Sequence, residues 1–283
     1  MTIEDRRLAF LRPAIDQPRH RFRRGVYLLP SLFTLGNMFC GYACIVYSMR
    51  SEFETAAPFI GFAIVLDMLD GRIARLTGTA SAFGVEFDSL ADVISFGVAP
   101  AILSFAWGLQ SLGRLGWAAG FFFVSAAAMR LARFNIQTAA PADKRYFVGM
   151  PSPAAAAIPA ATVYAYPWGL YDYRAALPAL AMVLVPALLM VTTIRFRSFK
   201  TIDLKSRRSY NVLIFIAAGI MAVATHPRFV LVALAYTYLA SAVIGMALTR
   251  LRPRAAAAAD EPAAGAAASD GERDANRGAG AAR

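Results

Sequence analysis

The chain has 283 residues, of which 58% are hydrophobic and only 17% are charged. Soluble domains carry roughly 25% charged residues, so this composition, with a mean hydropathy of +0.49, indicates a membrane protein and argues against soluble domains. The two cysteines, Cys40 and Cys44, lie one helical turn apart in an apolar run, which excludes a disulfide-stapled secreted domain and a zinc site.

Eight stretches contain no charged residue, and we expect each to form a transmembrane helix. Six have 19 residues or more, close to the ~20 that a helix needs to cross ~30 Å of hydrocarbon. The two short stretches run directly into charged residues, at 67–72 and at 130–133, where ionisable groups indicate function because they are costly at membrane depth. The predicted fold is an all-α integral membrane bundle of about eight helices. The stretches are residues 26–49, 55–66, 93–113, 115–129, 146–171, 175–194, 209–227 and 229–249.

The distribution of Lys and Arg predicts the orientation. Eight crossings place both termini on one side, and of the 29 Lys and Arg residues all but Arg50, Arg114, Arg174 and Arg228 fall on that side. By the positive-inside rule, both termini are expected in the cytoplasm, with the protein in the cytoplasmic membrane. The net charge of +11 is then a topology signal, and no nucleic-acid partner is expected.

Composition divides the chain into three parts. Residues 1–25 form a basic cytoplasmic segment without the cleavage site of a signal peptide, so the first span is expected to be retained. Residues 26–250 hold all eight expected spans and form the predicted transmembrane domain, which also carries the candidate catalytic residues described below. Residues 251–283 are rich in Ala and have no large apolar residue to bury after the first few, so this tail is expected to be disordered.

Four aspartates follow helical spacing on either side of the second inter-helix connection. Asp67 and Asp70 are three residues apart, and Asp88 and Asp92 are four apart, so each pair faces one way from its helix. A hairpin of the second and third spans would bring the pairs together near the cytoplasmic face. Four neighbouring carboxylates repel one another unless cations lie between them, and Mg²⁺ or Mn²⁺ suits such ligands. Two ions would favour displacement at phosphorus.

Small and basic residues accompany the aspartates. Gly71 and Gly84 would let a phosphate or nucleotide approach the backbone, and Arg75 is placed to pair with a phosphate. Two alternatives stay open from these residues alone. The acids form salt bridges with Arg72 and Arg75, or they line a cation path in a transporter.

The complete spacing from Asp67 to Asp92 is D-x2-D-G-x2-A-R-x8-G-x3-D-x3-D, which resembles the signature of the CDP-alcohol phosphatidyltransferase family at every fixed position. Members are integral membrane enzymes that move a phosphatidyl group from a CDP-linked lipid to an alcohol and release CMP. The resemblance implies that Asp67, Asp70 and Asp88 bind divalent metal and that Asp92, which is also near the ions, takes part in holding them. It further implies that Asp92 is the catalytic base.

The resemblance also implies a donor site and an acceptor site. The donor-binding residues would be Gly71, Arg75, Ser81, Gly84, Thr34 and Asn37. The acceptor-binding residues would be Arg130, Arg133, Phe134, Asn135 and Ser152. An Arg suits an acceptor with a carboxylate, because its guanidinium binds carboxylates bidentately. From the residues alone Arg133 is better explained as a positive-inside anchor than as an acceptor contact, and Ser152 is expected to cap the helix that follows it rather than to contact substrate.

Segments outside the signature resemble the membrane-embedded phosphatidylserine synthase branch of this family, although Ser31 stands where that branch has Asn. This resemblance covers about residues 26–250 and implies CDP-diacylglycerol and L-serine as substrates. It also implies a possible homodimer, since members of the family are often dimers. The alternatives are another acceptor, such as glycerol 3-phosphate, inositol or choline, and a cation transporter. The segments are residues 27–41, 95–101, 130–135, 147–156 and 194–200.

Overall fold

The computed structural model describes residues 28–77, 81–139, 146–192, 195–197 and 209–251. These residues are helical apart from short turns and two three-residue strands. The basic segment 1–25 and residues 252–283 lie outside the described ranges, so the predictions for both ends stay predictions. The helices are α1 (Leu28–Met49), α2 (Phe53–Thr77), α3 (Ala82–Asp92), α4 (Ala99–Trp107), α5 (Arg114–Ala139), α6 (Ser152–Ala165), α7 (Tyr173–Val191), α8 (Ser209–Thr225) and α9 (Pro227–Leu251).

Each charge-free stretch of the sequence contains a helix in the described part of the chain. The two short stretches do so because α2 and α5 continue through their charged residues, to Thr77 and Ala139. Among the described residues, four helical segments are long and apolar enough to cross a membrane, which supports a helical multi-pass membrane protein; the count of eight spans stays a prediction. These four are Ser31–Met49, Ala82–Trp107, Arg114–Ile136 and Tyr173–Val191.

Helix α3, a π turn and α4 form one continuous helical rod, Ala82–Trp107, so the third expected span, residues 93–113, starts earlier in the structure than the charge-free stretch predicted. A π turn, Val93–Val98, joins α3 to α4 directly after Asp92, and Ser95, Phe96 and Gly97 in this turn are buried. Helix α1 packs against α3 and against the π turn. The Ser95 hydroxyl donates a hydrogen bond to the backbone oxygen of Asn37 at 2.9 Å. Since π turns occur frequently at functional sites, this contact marks the region around Asp92.

Gly41 lets α1 approach this turn, and its replacement should destabilise the protein. A Cβ at Gly41 would lie 2.6 Å from Ser95 Oγ and 2.9 Å from Ser95 Cα. We expect Gly41→Ala to lower the free energy of unfolding by about 1–3 kcal/mol through overpacking, measured by thermal unfolding in detergent. Gly61→Ala is the matched control, because a Cβ there has no atom within 4 Å and Ala favours a helix. Equal melting temperatures for the two variants would contradict this account.

A small antiparallel ribbon lies next to the N-terminus of α6. Its strands are β1 (Tyr146–Val148) and β2 (Arg195–Arg197), and Phe147 pairs with Phe196. Gly149 follows β1 with φ +83°, and a Cβ there would lie 2.7 Å from the Met190 carbonyl oxygen, so the position requires glycine. The Met150 N–H donates to Leu189 O at 3.1 Å. The start of α6 is therefore fixed beside the end of α7. The all-α prediction did not include this ribbon.

The structure forms two compact units. The first ends at Leu239 and contains the helices that position the aspartates. The second begins at Ala240, and the structure describes it only as the final helical residues of α9, 240–251.

Candidate active site

Three of the four signature aspartates lie together. Asp67 and Asp70 are on the second half of α2, and Asp88 is on α3. Carboxylate oxygens of Asp67, Asp70 and Asp88, one from each residue, all lie within 4.8 Å of one another. The predicted convergence of the two helices is therefore present for these three side chains, which we call the carboxylate trio.

The carboxylate trio fits a divalent cation. Asp88 Oδ1 is buried and has no hydrogen-bond partner among the described residues, an arrangement that is costly unless a ligand satisfies the oxygen. A set of carboxylate oxygens is the donor set that hard divalent ions prefer. The salt-bridge alternative is not supported, because in the described chain the recorded ion pair joins Arg228 to Glu54 and none joins Arg72 or Arg75 to the trio.

Asp92 lies beside the carboxylate trio but is not part of it. Its side chain is 9% exposed, and its Oδ1 accepts a hydrogen bond from Asn37 Nδ2 at 3.2 Å. It interacts electrostatically with Asp67, Asp88 and Asp70. The predicted roles of Asp92 as a metal ligand and as the base both stay predictions.

Two polar residues of α1 each contact one aspartate, Thr34 in the first pair and Asn37 in the second. Thr34 Oγ1 donates to Asp70 Oδ2 at 3.2 Å, and Asn37 makes the contact with Asp92. Thr34 and Asn37 are three residues apart and therefore share a face of α1. The donor-site role predicted for both residues stays a prediction; in the structure their side chains contact the carboxylates. The signal in the sequence is a pair of polar residues at helical spacing within an apolar span.

The residues expected to bind the donor lie where α2 ends and α3 begins. A Cβ at Gly71 would have only Arg75 Nη2 near it, at 3.9 Å, so the surface beside Gly71 is open. Arg75 is exposed. Ser81 is the N-cap of α3, and its Oγ accepts a hydrogen bond from the Gly84 N–H at 2.9 Å. Ser81 thus satisfies a free N–H of the first helical turn, and donor contact by these residues stays a prediction.

Arg130 joins the predicted acceptor site to the carboxylates. Its Nη1 donates to Ser152 Oγ at 2.8 Å, and its guanidinium lies 5.5 Å from the centre of the Phe134 ring. It also interacts electrostatically with Asp92 and Asp67. Arg130 is therefore held within reach of both the aspartates and a buried hydroxyl.

The expectation that Ser152 caps α6 is wrong. The N-cap is Pro151, which is extended with ψ 138° and makes no side-chain capping hydrogen bond. The helix begins at Ser152 itself, whose side chain is 2% exposed and accepts the hydrogen bond from Arg130.

Arg133 and Asn135 have partners different from those of Arg130. Arg133 Nη1 donates to the Val191 carbonyl oxygen at 3.1 Å, at the C-terminus of α7, where a basic side chain is favourable. Asn135 Nδ2 donates to Ser89 Oγ at 2.9 Å. Arg133 therefore contacts a helix terminus, and both its predicted acceptor role and the positive-inside interpretation stay predictions. The contact of Asn135 ties α5 to α3 beside Asp88, through a serine that the sequence analysis did not identify.

Comparisons with known proteins agree with this site. The profile of the CDP-alcohol phosphatidyltransferase family matches residues 27–194, which include all four aspartates. A Helicobacter pylori protein is 39% identical over 193 residues, covering 68% of this chain and 81% of the relative. A Mycobacterium leprae protein is 38% identical over 145 residues, covering 50% and 48%. A Saccharomyces cerevisiae protein is 39% identical over 150 residues, covering 48% and 54%.

Each of these three relatives bears the name CDP-diacylglycerol--serine O-phosphatidyltransferase. The family match extends over more than half of the chain and confirms the family predicted from the spacing of the aspartates. The chain belongs to the CDP-alcohol phosphatidyltransferase family.

Proposed function

We propose that the protein transfers the phosphatidyl group of CDP-diacylglycerol to the hydroxyl of L-serine, giving phosphatidylserine and CMP. The observation that carries this proposal is the carboxylate trio, with oxygens within 4.8 Å of one another and a buried, unpartnered Asp88 Oδ1 among the described residues. The names of the relatives favour serine as the acceptor. Arg130 supports the same choice, because serine carries a carboxylate that a guanidinium binds well.

In this proposal Asp67, Asp70 and Asp88 hold Mg²⁺ or Mn²⁺, as two ions, with Asp92 beside them. Such ions, when bound, neutralise the phosphate oxygens and the leaving group. Gly71 leaves room for the donor pyrophosphate, Gly84 lets the backbone of α3 approach it, and Arg75 pairs with it. Ser81 orders the start of α3, through its bond to Gly84, where the donor would lie.

The proposed chemistry is a displacement at phosphorus. The serine hydroxyl oxygen forms a bond to the phosphorus that bears diacylglycerol, and the bond from this phosphorus to the bridging pyrophosphate oxygen breaks. CMP leaves with that oxygen. Asp92 accepts the proton of the hydroxyl as a general base. Arg130 holds the serine carboxylate so that the hydroxyl meets the phosphorus, and this orientation lowers the barrier further.

The location of the enzyme is part of the same proposal. We place it in the cytoplasmic membrane with both termini and the active site facing the cytoplasm, because most Lys and Arg residues fall on that side. The homodimer implied by the family resemblance also belongs to the proposal.

The test is CMP release from CDP-diacylglycerol by the purified protein, offered serine, glycerol 3-phosphate, inositol or choline. We expect turnover with serine, its loss when EDTA removes divalent ions, and its recovery with added Mn²⁺ or Mg²⁺. Turnover with a different alcohol would support the proposed phosphatidyl transfer and contradict serine as the acceptor. Cation flux into proteoliposomes without CMP release would support the transporter alternative instead.

Arg130→Lys should raise the KM for serine about 10- to 100-fold, with little change in the KM for CDP-diacylglycerol. Lys keeps the charge but cannot bind a carboxylate bidentately. Arg114→Lys is the matched control on the same helix, because Arg114 is exposed at the opposite end of α5, and its serine KM should change less than threefold. Initial rates at varied serine concentration give both constants. Equal effects of the two variants would remove Arg130 from the acceptor site.

A further inference from the structure

We infer that Asn37 is a positioning residue that orients the carboxylate of Asp92, a role different from the donor contact expected from the sequence. This inference rests on the proposed function, in which Asp92 is the base. It concerns a contact between α1 and α3, whose residues are 55 positions apart in the chain.

The first support is the environment of the amide. Asn37 is fully buried, at 0% exposure, inside a helix of predominantly apolar residues. Its Nδ2 donates to Asp92 Oδ1 at 3.2 Å, whereas its Oδ1 is buried and has no partner among the described residues. An amide half satisfied in this way is unfavourable for folding alone. The side-chain hydrogen bond that it does make is directed at the carboxylate of Asp92.

The second support is how the backbone around Asn37 is fixed. Ser95, in the π turn three residues after Asp92, donates to the backbone oxygen of Asn37 at 2.9 Å. One turn later, Gly41 lets α1 pack against Ser95. The backbone of Asn37 is therefore bonded to Ser95 and its side chain to Asp92. These two contacts with one segment fix the amide relative to the carboxylate.

The consequence for Asp92 follows from hydrogen-bond geometry. An N–H donor on Oδ1 restricts rotation of the carboxylate and leaves Oδ2 to accept the proton of the serine hydroxyl. Misplacement of a reacting group by about 1 Å can lower a rate about 100-fold, and loss of a group that orients a functional side chain typically lowers activity about 10- to 100-fold. Asn37 thus acts on the rate of the chemical step rather than on binding of the donor.

The test is Asn37→Leu, which has a similar volume but no donor. We expect kcat for CMP release to fall about 10- to 100-fold, with the KM for CDP-diacylglycerol and for serine changed less than about threefold. Ser48→Ala is the control on α1, because Ser48 is equally buried and its recorded hydrogen bonds stay within its own helix, at Cys44. Its kcat should be unchanged. A raised donor KM at unchanged kcat would show donor binding and overturn the inference, as would unchanged kinetics.

A second pair of variants tests the inference even if Asn37→Leu fails to fold. Asn37→Thr and Asn37→Val have the same shape and differ by one hydroxyl donor, so Thr should retain a higher kcat than Val at equal melting temperature. Equal kcat at the wild-type value in both would overturn the inference. Each comparison uses whichever alcohol the wild-type protein turns over. If serine is not the acceptor, the wild-type assay shows this by itself, and the comparison of the variants still tests Asn37.

An independent measurement separates the base from the metal site. Mn²⁺ affinity of the substrate-free protein, titrated by EPR, should change less than about tenfold in Asn37→Leu, because the recorded contact of the Asn37 side chain is with Asp92 and not with the carboxylate trio. A loss as large as that of Asp88→Asn would assign the effect to metal binding and contradict the inference.

Discussion

Asp88→Asn should abolish metal-dependent CMP release and, at the same time, raise the stability of the metal-free protein. The two effects have one cause. The trio oxygens lie within 4.8 Å of one another, and two unit charges 4.8 Å apart repel by about 3.5 kcal/mol at an effective dielectric of ~20. Replacing one carboxylate with a neutral amide relieves this repulsion but also removes a ligand. Since metal catalysis supplies several kcal/mol, we expect kcat to fall about 10³-fold or more.

Three measurements check this prediction: CMP release, Mn²⁺ affinity, and melting temperature in EDTA. Glu86→Gln is the matched control, because it removes the same charge from an exposed position on α3 and should leave all three unchanged. A lower melting temperature for Asp88→Asn in EDTA would mean that Asp88 stabilises the fold as a salt-bridged acid. That result would contradict the metal site.

Asp92→Asn should lower kcat about 10²- to 10⁴-fold, the range that a general base contributes. The KM for CDP-diacylglycerol should change little, because the amide keeps the size of the side chain. The fold should tolerate the change, since the oxygen of the introduced amide could still accept the hydrogen bond from Asn37. Rapid-quench measurement of CMP formation in a single turnover isolates the chemical step from product release.

Two results would decide against Asp92 as the base. One is full single-turnover activity in a folded Asp92→Asn protein. The other is an equal decrease in Asp172→Asn, the control, which changes an exposed acid just before α7. Loss of Mn²⁺ binding in Asp92→Asn, with the rate restored at high Mn²⁺, would instead make Asp92 a metal ligand only.

The sequence predicted the parts of the site that depend on local spacing. Helical periodicity placed Asp67 and Asp70 on one face, and the structure confirms that α2 continues through them. Apolar runs located the helices because burial in lipid requires length and low charge. The family followed from the same spacing and was confirmed by comparison.

Contacts between distant helices could not be predicted in this way. The donors on α1 reach their aspartates across 36 and 55 residues, and only tertiary packing brings them together. Arg130 and Arg133 are three residues apart on one helix, so spacing alone could not show that one contacts Ser152 and the other the end of α7. The sequence predicts a capping role for Ser152 because a hydroxyl near a helix start usually caps the helix. In the structure the Ser152 hydroxyl instead accepts a hydrogen bond from the Arg130 guanidinium.

The π turn between α3 and α4 also sets the angular relation of the two halves of their rod. An α-helix advances by about 100° per residue, and a π turn accommodates one additional residue. If α3 continued as a regular α-helix, the side chains of Leu103 and Trp107 would point about 100° away from their observed buried directions on α4. Deleting one residue between Val93 and Val98 would therefore let the rod close into a regular α-helix with both halves in their present orientation, whereas deleting one residue within α4 would rotate the buried side chains that follow it by about 100°.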